Sequence, residues 1–116
     1  MKRQAAEARG RKGEAYAVLW LRMKGWQILA ERVRTAAGEV DIVAKRRDVV
    51  AFVEVKTRAT DAELDYAIDH FRLRRVAAAA EILAPRFAQA GEDIRIDVVL
   101  ITPGALPRHL VNVWHG

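Results

Sequence analysis

Two apolar runs carry charges where a buried strand should carry none, and they limit what this chain can become. The first is Gly38-Glu39-Val40-Asp41-Ile42-Val43-Ala44 and the second is Phe52-Val53-Glu54-Val55-Lys56-Thr57-Arg58. The polar segment Lys45-Arg46-Arg47-Asp48 lies between them. Their patterning predicts strands over 39–45 and 49–57, joined as an antiparallel hairpin. A charge in such a strand is costly unless it is paired or binds a cation.

Side chains alternate across a strand, so Glu54 and Lys56 share a face. Whether Asp41 joins them depends on the parity of the turn. With an even turn made of Arg46-Arg47, Lys45 pairs with Asp48. Asp41 then lies opposite Phe52, on the face of Glu54 and diagonal to it. An odd turn without a bulge sends Asp41 to the other face.

With even parity, two carboxylates and an ammonium converge. Neighbouring carboxylates repel unless a positive charge sits between them. Hard oxygen ligands suit Mg²⁺ or Mn²⁺, with Asp41 and Glu54 as metal ligands and the Val55 carbonyl as a further donor. Such an ion lowers the pKa of a water and stabilises charge on a phosphoryl group. Lys56 is then placed to orient that water or to stabilise the pentavalent phosphate. The competing reading is a Glu54–Lys56 ion pair on a solvated strand face with Asp41 exposed beside it. The flanking Val49, Val50, Phe52, Val53 and Val55 argue against a solvated strand.

Ahead of the hairpin, residues 3–24 read as a helix closed by Gly25, with a proper start near Gly10 or Arg11. Ala17, Val18 and Leu21 form its apolar stripe, and Glu14 lies on the same face. That carboxylate is either a paired first-turn acid or a supporting acid of the hairpin site. Residues 26–34 read as a first strand. After an acidic loop from Thr60 to Asp65, residues 66–90 read as a second helix. Its inward face is Ile68, Phe71, Arg75, Ala78, Ala79 and Ile82, and Pro85 kinks or splits it. Residues 94–102 form a fourth strand, central and buried on both faces, and 109–114 form a short last strand. The order αβββαββ predicts an α/β fold, one mixed sheet with helices packed on it.

At 116 residues the chain is expected to be a single domain over 1–116, with 1–9 set apart as a flexible, basic N-terminal stretch. The absence of cysteine excludes disulfides, thiol catalysis and Cys-ligated zinc. His70, His109 and His115 are scattered, which argues against a histidine-rich metal site. The basic N-terminus lacks the apolar core of a signal peptide, and no apolar run is long enough to span a bilayer, so a cytoplasmic protein is expected. The net charge of +5 is uneven: residues 1–34 carry +6, while 59–116 carry −2. A basic third on a near-neutral body points to a polyanion, nucleic acid first. Arg11, Lys12, Arg34, Arg46, Arg47, Arg58 and Arg72 are the candidate phosphate contacts.

Asp41 with Glu54-x-Lys56 on a hairpin, preceded by a helix bearing Glu14, resembles the PD-(D/E)xK nuclease superfamily. More closely, Gly13-Glu14, the 38–44 and 52–58 segments and Ile96-Asp97-Val98-Val99 resemble the YraN family. That is a bacterial family of uncharacterised proteins similar to archaeal Holliday-junction resolvases. The resemblance runs from about Arg9 to Trp114. It implies the restriction-endonuclease-like fold, a central mixed sheet flanked by helices. It also implies Mg²⁺-dependent phosphodiester hydrolysis, with Asp41 and Glu54 as ligands, Lys56 at the reacting water and Glu14 as a supporting acid. Resolvase-like relatives further imply a homodimer whose two sites address two DNA strands. Where the family has a Thr-Pro-Arg-Lys-type segment at the second helix, this chain has Ala67-Ile68-Asp69-His70-Phe71-Arg72, so Arg72 or Arg74 takes any basic role. The leading expectation is a metal-dependent DNA endonuclease, acting on branched or structured DNA. The alternative is a nucleic-acid-binding module that keeps the fold without catalysis, and a third reading is a structural or interaction domain displaying Trp20, Trp26 and Trp114.

Overall fold

The computed structural model describes residues 2–58 and 70–115, with side-chain surroundings from residue 11 onward. The elements are α1 (Lys2–Met23), β1 (Gln27–Arg34), β2 (Glu39–Arg46), β3 (Val49–Thr57), α2 (His70–Phe87), β4 (Asp93–Ile101) and β5 (Arg108–Leu110). The α/β order αβββαββ is the expected one. The five strands form one mixed sheet in sequence order. Among the described residues, only the β3–β4 pair is parallel, and the other pairs are antiparallel.

Alternation along the strands sorts the core into two layers. Val43, Val50, Phe52, Ile96, Val98 and Leu100 face α2, whereas Ile42, Ala44, Ala51, Val53, Val99 and Ile101 face α1. Helix α1 buries the expected stripe of Ala17, Val18 and Leu21. It starts at Lys2, earlier than its glycines suggested, and runs through Gly10 and Gly13. Gly13 is a packing requirement, because a Cβ there would overlap the Thr57 hydroxyl of β3. The helix ends at Gly25, in the left-handed region at φ +91°. The Trp26 amide reaches back to the Leu21 carbonyl at 3.0 Å, and both side chains are buried against the sheet. Leu21→Ala would keep this backbone bond but lose core packing, a loss of about 2–5 kcal/mol.

Helix α2 corrects the expected inward face. Leu73, Val76, Ala79, Ala80 and Leu83 are buried, while Phe71 and Ile82 are largely exposed and Arg75 is exposed. In this alanine-rich helix two stripes of apolar residues compete at helical spacing. The one with the longer unbroken i, i+3, i+7, i+10 run, Leu73-Val76-Ala80-Leu83, packs on the sheet. The helix is not split at Pro85, which falls in the last turn, and it continues to Phe87. Ile68 and the Asp61–Asp65 acidic run lie outside the described residues. Strand β4 is buried on both faces from Ile96 to Ile101, and the last strand is shorter than expected.

Candidate active site

The β2–β3 hairpin keeps the required parity but shifts its register by two. Arg46 pairs with Val49 and Ile42 with Val53, so the turn is Arg47-Asp48, not Arg46-Arg47. Arg47 takes the left-handed φ of +54° that so tight a reversal needs. Continued by one residue, this register brings Asp41 level with Glu54, where the expected turn set it opposite Phe52.

The backbone ladder ends at Ile42↔Val53. The next β3 amide on that side is Val55, and it donates to Asp41 Oδ2 at 2.8 Å. One carboxylate oxygen thus ties Asp41 to β3 beside Glu54. Glu54 is buried, and its Oε1 accepts from Arg72 Nε at 2.6 Å and lies 3.3 Å from Lys56 Nζ. Lys56 is buried as well, so the Glu54–Lys56 pair exists but does not sit on a solvated face.

The site opens into a cavity of about 500 Å³ lined from both helices and the sheet by Glu14, Glu39, Asp41, Glu54, Arg72 and Arg75 among others. Burial, and then the charge of Glu54, push the Asp41 carboxyl up to about 7, against the opposing pull of the Val55 amide. Burial likewise lowers the Lys56 ammonium, although Glu54 acts to raise it. Both shifts have the cause seen where ionisable groups are gathered for chemistry. Among the described residues, no three His, Asp or Glu side chains are arranged to ligate a metal. The acidic donors facing each other are the pair Asp41 and Glu54.

Glu14 comes from α1, half-buried, and its Oε2 accepts from Arg32 Nε at 2.7 Å. Arg32 was not legible as a site residue, because neither its strand position nor its spacing marks it. Asp97 was noticed only within the Ile96–Val99 motif. It is fully buried and bound by Arg95 (2.9 Å twice), His109 Nε2 (2.8 Å) and the Asn112 amide (2.9 Å). Burial acts to raise its pKa, but the His109, Arg95 and Asn112 bonds outweigh it and hold the carboxyl below its usual range. Asp97 is paired with Val53 in the β3–β4 ladder, one residue out of step with Glu54, so it points to the opposite face. It fastens β5 and the C-terminal segment to β4.

The candidate phosphate contacts are divided. Arg72 is in the site. Arg34 ends β1 beside Glu39, 3.4 Å from its carboxylate, at the same end of the sheet as Asp41. Arg11 and Lys12 are exposed one turn or less before Glu14. Arg58 follows Thr57, with its amide on the Ile101 carbonyl and its guanidinium on the Thr57 carbonyl. Arg46 and Arg47 lie at the other end of the hairpin, roughly 20 Å from Glu54 along the strand. There the Arg46 guanidinium covers the Trp26 ring at 4.7 Å and bonds the Lys24 carbonyl.

The model of the uncharacterised protein family UPF0102 matches residues 13–101, which spans Glu14, Asp41, Glu54, Lys56 and Arg72. The chain belongs to that family. UPF0102 is the YraN family that the sequence motifs resembled. Among its relatives, a UPF0102 protein of Erythrobacter litoralis is 65% identical over 114 residues, covering 98% of both chains. One from Sphingopyxis alaskensis is 62% identical over 114 residues, with the same coverage. One from Rhizorhabdus wittichii is 56% identical over 115 residues, covering 99% of this chain and 98% of its own. In this UPF0102 chain no described helix is long and apolar enough to cross a membrane.

Proposed function

We propose that the protein is a metal-dependent endonuclease that hydrolyses DNA phosphodiester bonds, with branched or structured DNA as its substrate class. The observation that carries this reading is the Asp41–Glu54 pair facing one cavity with Lys56 beside it. The cost of ionising Asp41 next to Glu54 is relieved by a cation between them. Two carboxylates leave most of a coordination shell to water and phosphate oxygens, which suits Mg²⁺ or Mn²⁺ in phosphoryl chemistry. Asp41 and Glu54 would hold the ion, and the ion supplies a more acidic water and stabilises negative charge on the phosphoryl group.

The protein's own groups have separable roles. The Val55 amide fixes one Asp41 oxygen, which leaves Oδ1 to turn toward the cavity. Arg72 and Lys56 orient Glu54. Lys56, its ammonium acidified by burial, donates to the attacking water or to a phosphoryl oxygen. Arg72, Arg34, Arg11, Lys12 and Arg58 offer donors to the DNA backbone near the site. The test is to incubate the protein with Mg²⁺ or Mn²⁺ and linear, flapped and four-way DNA. Cleavage is expected from the unaltered protein and not from Asp41→Ala or Lys56→Ala. Cleavage that survives both substitutions overturns the assignment.

A second reading is a nucleic-acid-binding module without turnover. It is favoured by the Glu54 carboxylate, which already has Arg72 and Lys56 as partners. DNA binding would then fall steeply with salt, and Asp41→Ala would leave it unchanged or tighten it. Mn²⁺ binding that depends on Asp41 and Glu54 counts against this reading.

A further inference from the structure

Arg32 lies inside β1 with φ +52°, a left-handed conformation that a side-chain-bearing residue in a strand adopts only under constraint. The pairs Glu31↔Ile42 and Val33↔Val40 set it opposite Asp41. Its guanidinium bonds Glu14, which comes from α1, at 2.7 Å. Glu14 lines the same cavity as Asp41 and Glu54, and its charge acts on Asp41. Glu39 is the fourth acid lining the cavity, and each of the other three has its own holder. The Val55 amide holds Asp41, Arg72 and Lys56 hold Glu54, and Arg32 holds Glu14.

Like the more exposed Arg72, Arg32 is a holder that can leave. Its side chain is 45% exposed, so its ion pair is screened by water. An arginine guanidinium also matches a phosphate through two parallel hydrogen bonds. Resting on the metal-dependent reading above, we propose that Arg32 is an internal counter-cation that competes with the divalent ion for Glu14. While Arg32 is paired, Glu14 is withheld from the Asp41–Glu54 pair. When a substrate phosphate draws Arg32 away, Glu14 becomes available as a third acidic ligand. Linkage makes the effect mutual: the factor by which phosphate tightens ion binding is the factor by which the ion tightens phosphate binding.

The test is Mn²⁺ affinity, read by electron paramagnetic resonance without DNA, for the unaltered protein, Arg32→Gln, Glu14→Gln, the double variant and Asp41→Asn, with circular dichroism as the check on folding. Arg32→Gly, whose backbone suits a φ of +52°, replaces Arg32→Gln where the latter does not fold. Arg32→Gln is expected to bind Mn²⁺ up to about fivefold more tightly, the scale of breaking an ion pair this exposed. The gain should vanish in the Glu14→Gln background. Unchanged affinity in Arg32→Gln overturns the proposal, and so does a gain that persists without Glu14, since that is a field effect alone. Asp41-dependent binding that ignores Arg32 removes this inference and leaves the metal reading standing. Binding in no variant, or binding that ignores Asp41, removes both.

Discussion

Asp41 accepts the Val55 amide through Oδ2 one residue beyond Ile42↔Val53, where the hairpin's backbone ladder stops. The bond favours the ionised form of Asp41, yet burial and the Glu54 charge outweigh it and raise the carboxyl to about 7. The folded state thus holds a proton that the unfolded chain releases near pH 4. Between those values the native state binds more protons, so stability falls as pH rises from about 4 to about 7 and then levels off. Asp41→Asn keeps an acceptor for Val55 and removes the titration. Urea unfolding with chelator present should find the variant level with the unaltered protein at about pH 4. By about pH 8 it should be more stable, by at most about 4 kcal/mol. A parallel pH dependence in both proteins would contradict the assignment of this site.

Lys56 and Arg72 share Glu54 but differ in exposure, and their loss should differ in kind. Lys56→Ala is expected to reduce cleavage by about 10²-fold or more, as loss of a charge-stabilising donor does, with DNA binding little altered. Arg72, more than half exposed, should cost only about 1 kcal/mol of stability when replaced by Ala. Its loss should weaken DNA binding and flatten the salt slope by about one. Equal effects of the two substitutions on binding would show that the roles are not separable.

The Asp97 network is a structural commitment. Asp97→Ala strands the Arg95 and His109 partners of a buried charge and should cost about 3–5 kcal/mol. Denaturant unfolding measures it. Asp97→Asn keeps part of the network and should lose less. In any folded variant, Mn²⁺ affinity should match that of the unaltered protein, because Asp97 faces away from Glu54.

Backbone strain at Arg32 has its own signature. Glycine relieves a left-handed φ and alanine does not, so Arg32→Gly should be more stable than Arg32→Ala by about 1 kcal/mol. The reverse order in thermal unfolding would mean that β1 straightens once the guanidinium is gone.

Arg46 and Arg47 occupy the far end of the hairpin. Their joint replacement by Ala should leave the cleavage rate at saturating DNA unchanged and raise KM. A fall in kcat instead would place the hairpin tip in the catalytic complex.

The hairpin was legible because strict alternation fixes parity, and parity alone decides whether Asp41 and Glu54 meet. Its register was not, because Arg46, Arg47 and Asp48 are equally polar and only the strain accepted at Arg47 distinguishes the turn. The apolar stripe of α1 was legible from Ala17, Val18 and Leu21, where polar neighbours give contrast. That of α2 was not, because alanine on every side removes the contrast, and Phe71 and Ile82 mimic the spacing of Leu73 and Leu83. Glu14 stood out as a lone acid on an apolar stripe. Arg32 could not stand out, since its role comes from a backbone angle and from a partner on another element.

The parallel β3–β4 pair joins residues 44 apart in the chain, such as Val49 and Asp93, with α2 lying between them in sequence. Contacts over such separations form slowly, whereas a hairpin with a two-residue turn closes in microseconds. The two acids therefore meet early, on a local element, and Arg72 reaches Glu54 only when the long crossover docks. During that interval the hairpin carries like charges with Arg72 not yet in place. Until then Lys56, on the same strand as Glu54, is the cation nearest to the two acids along the chain.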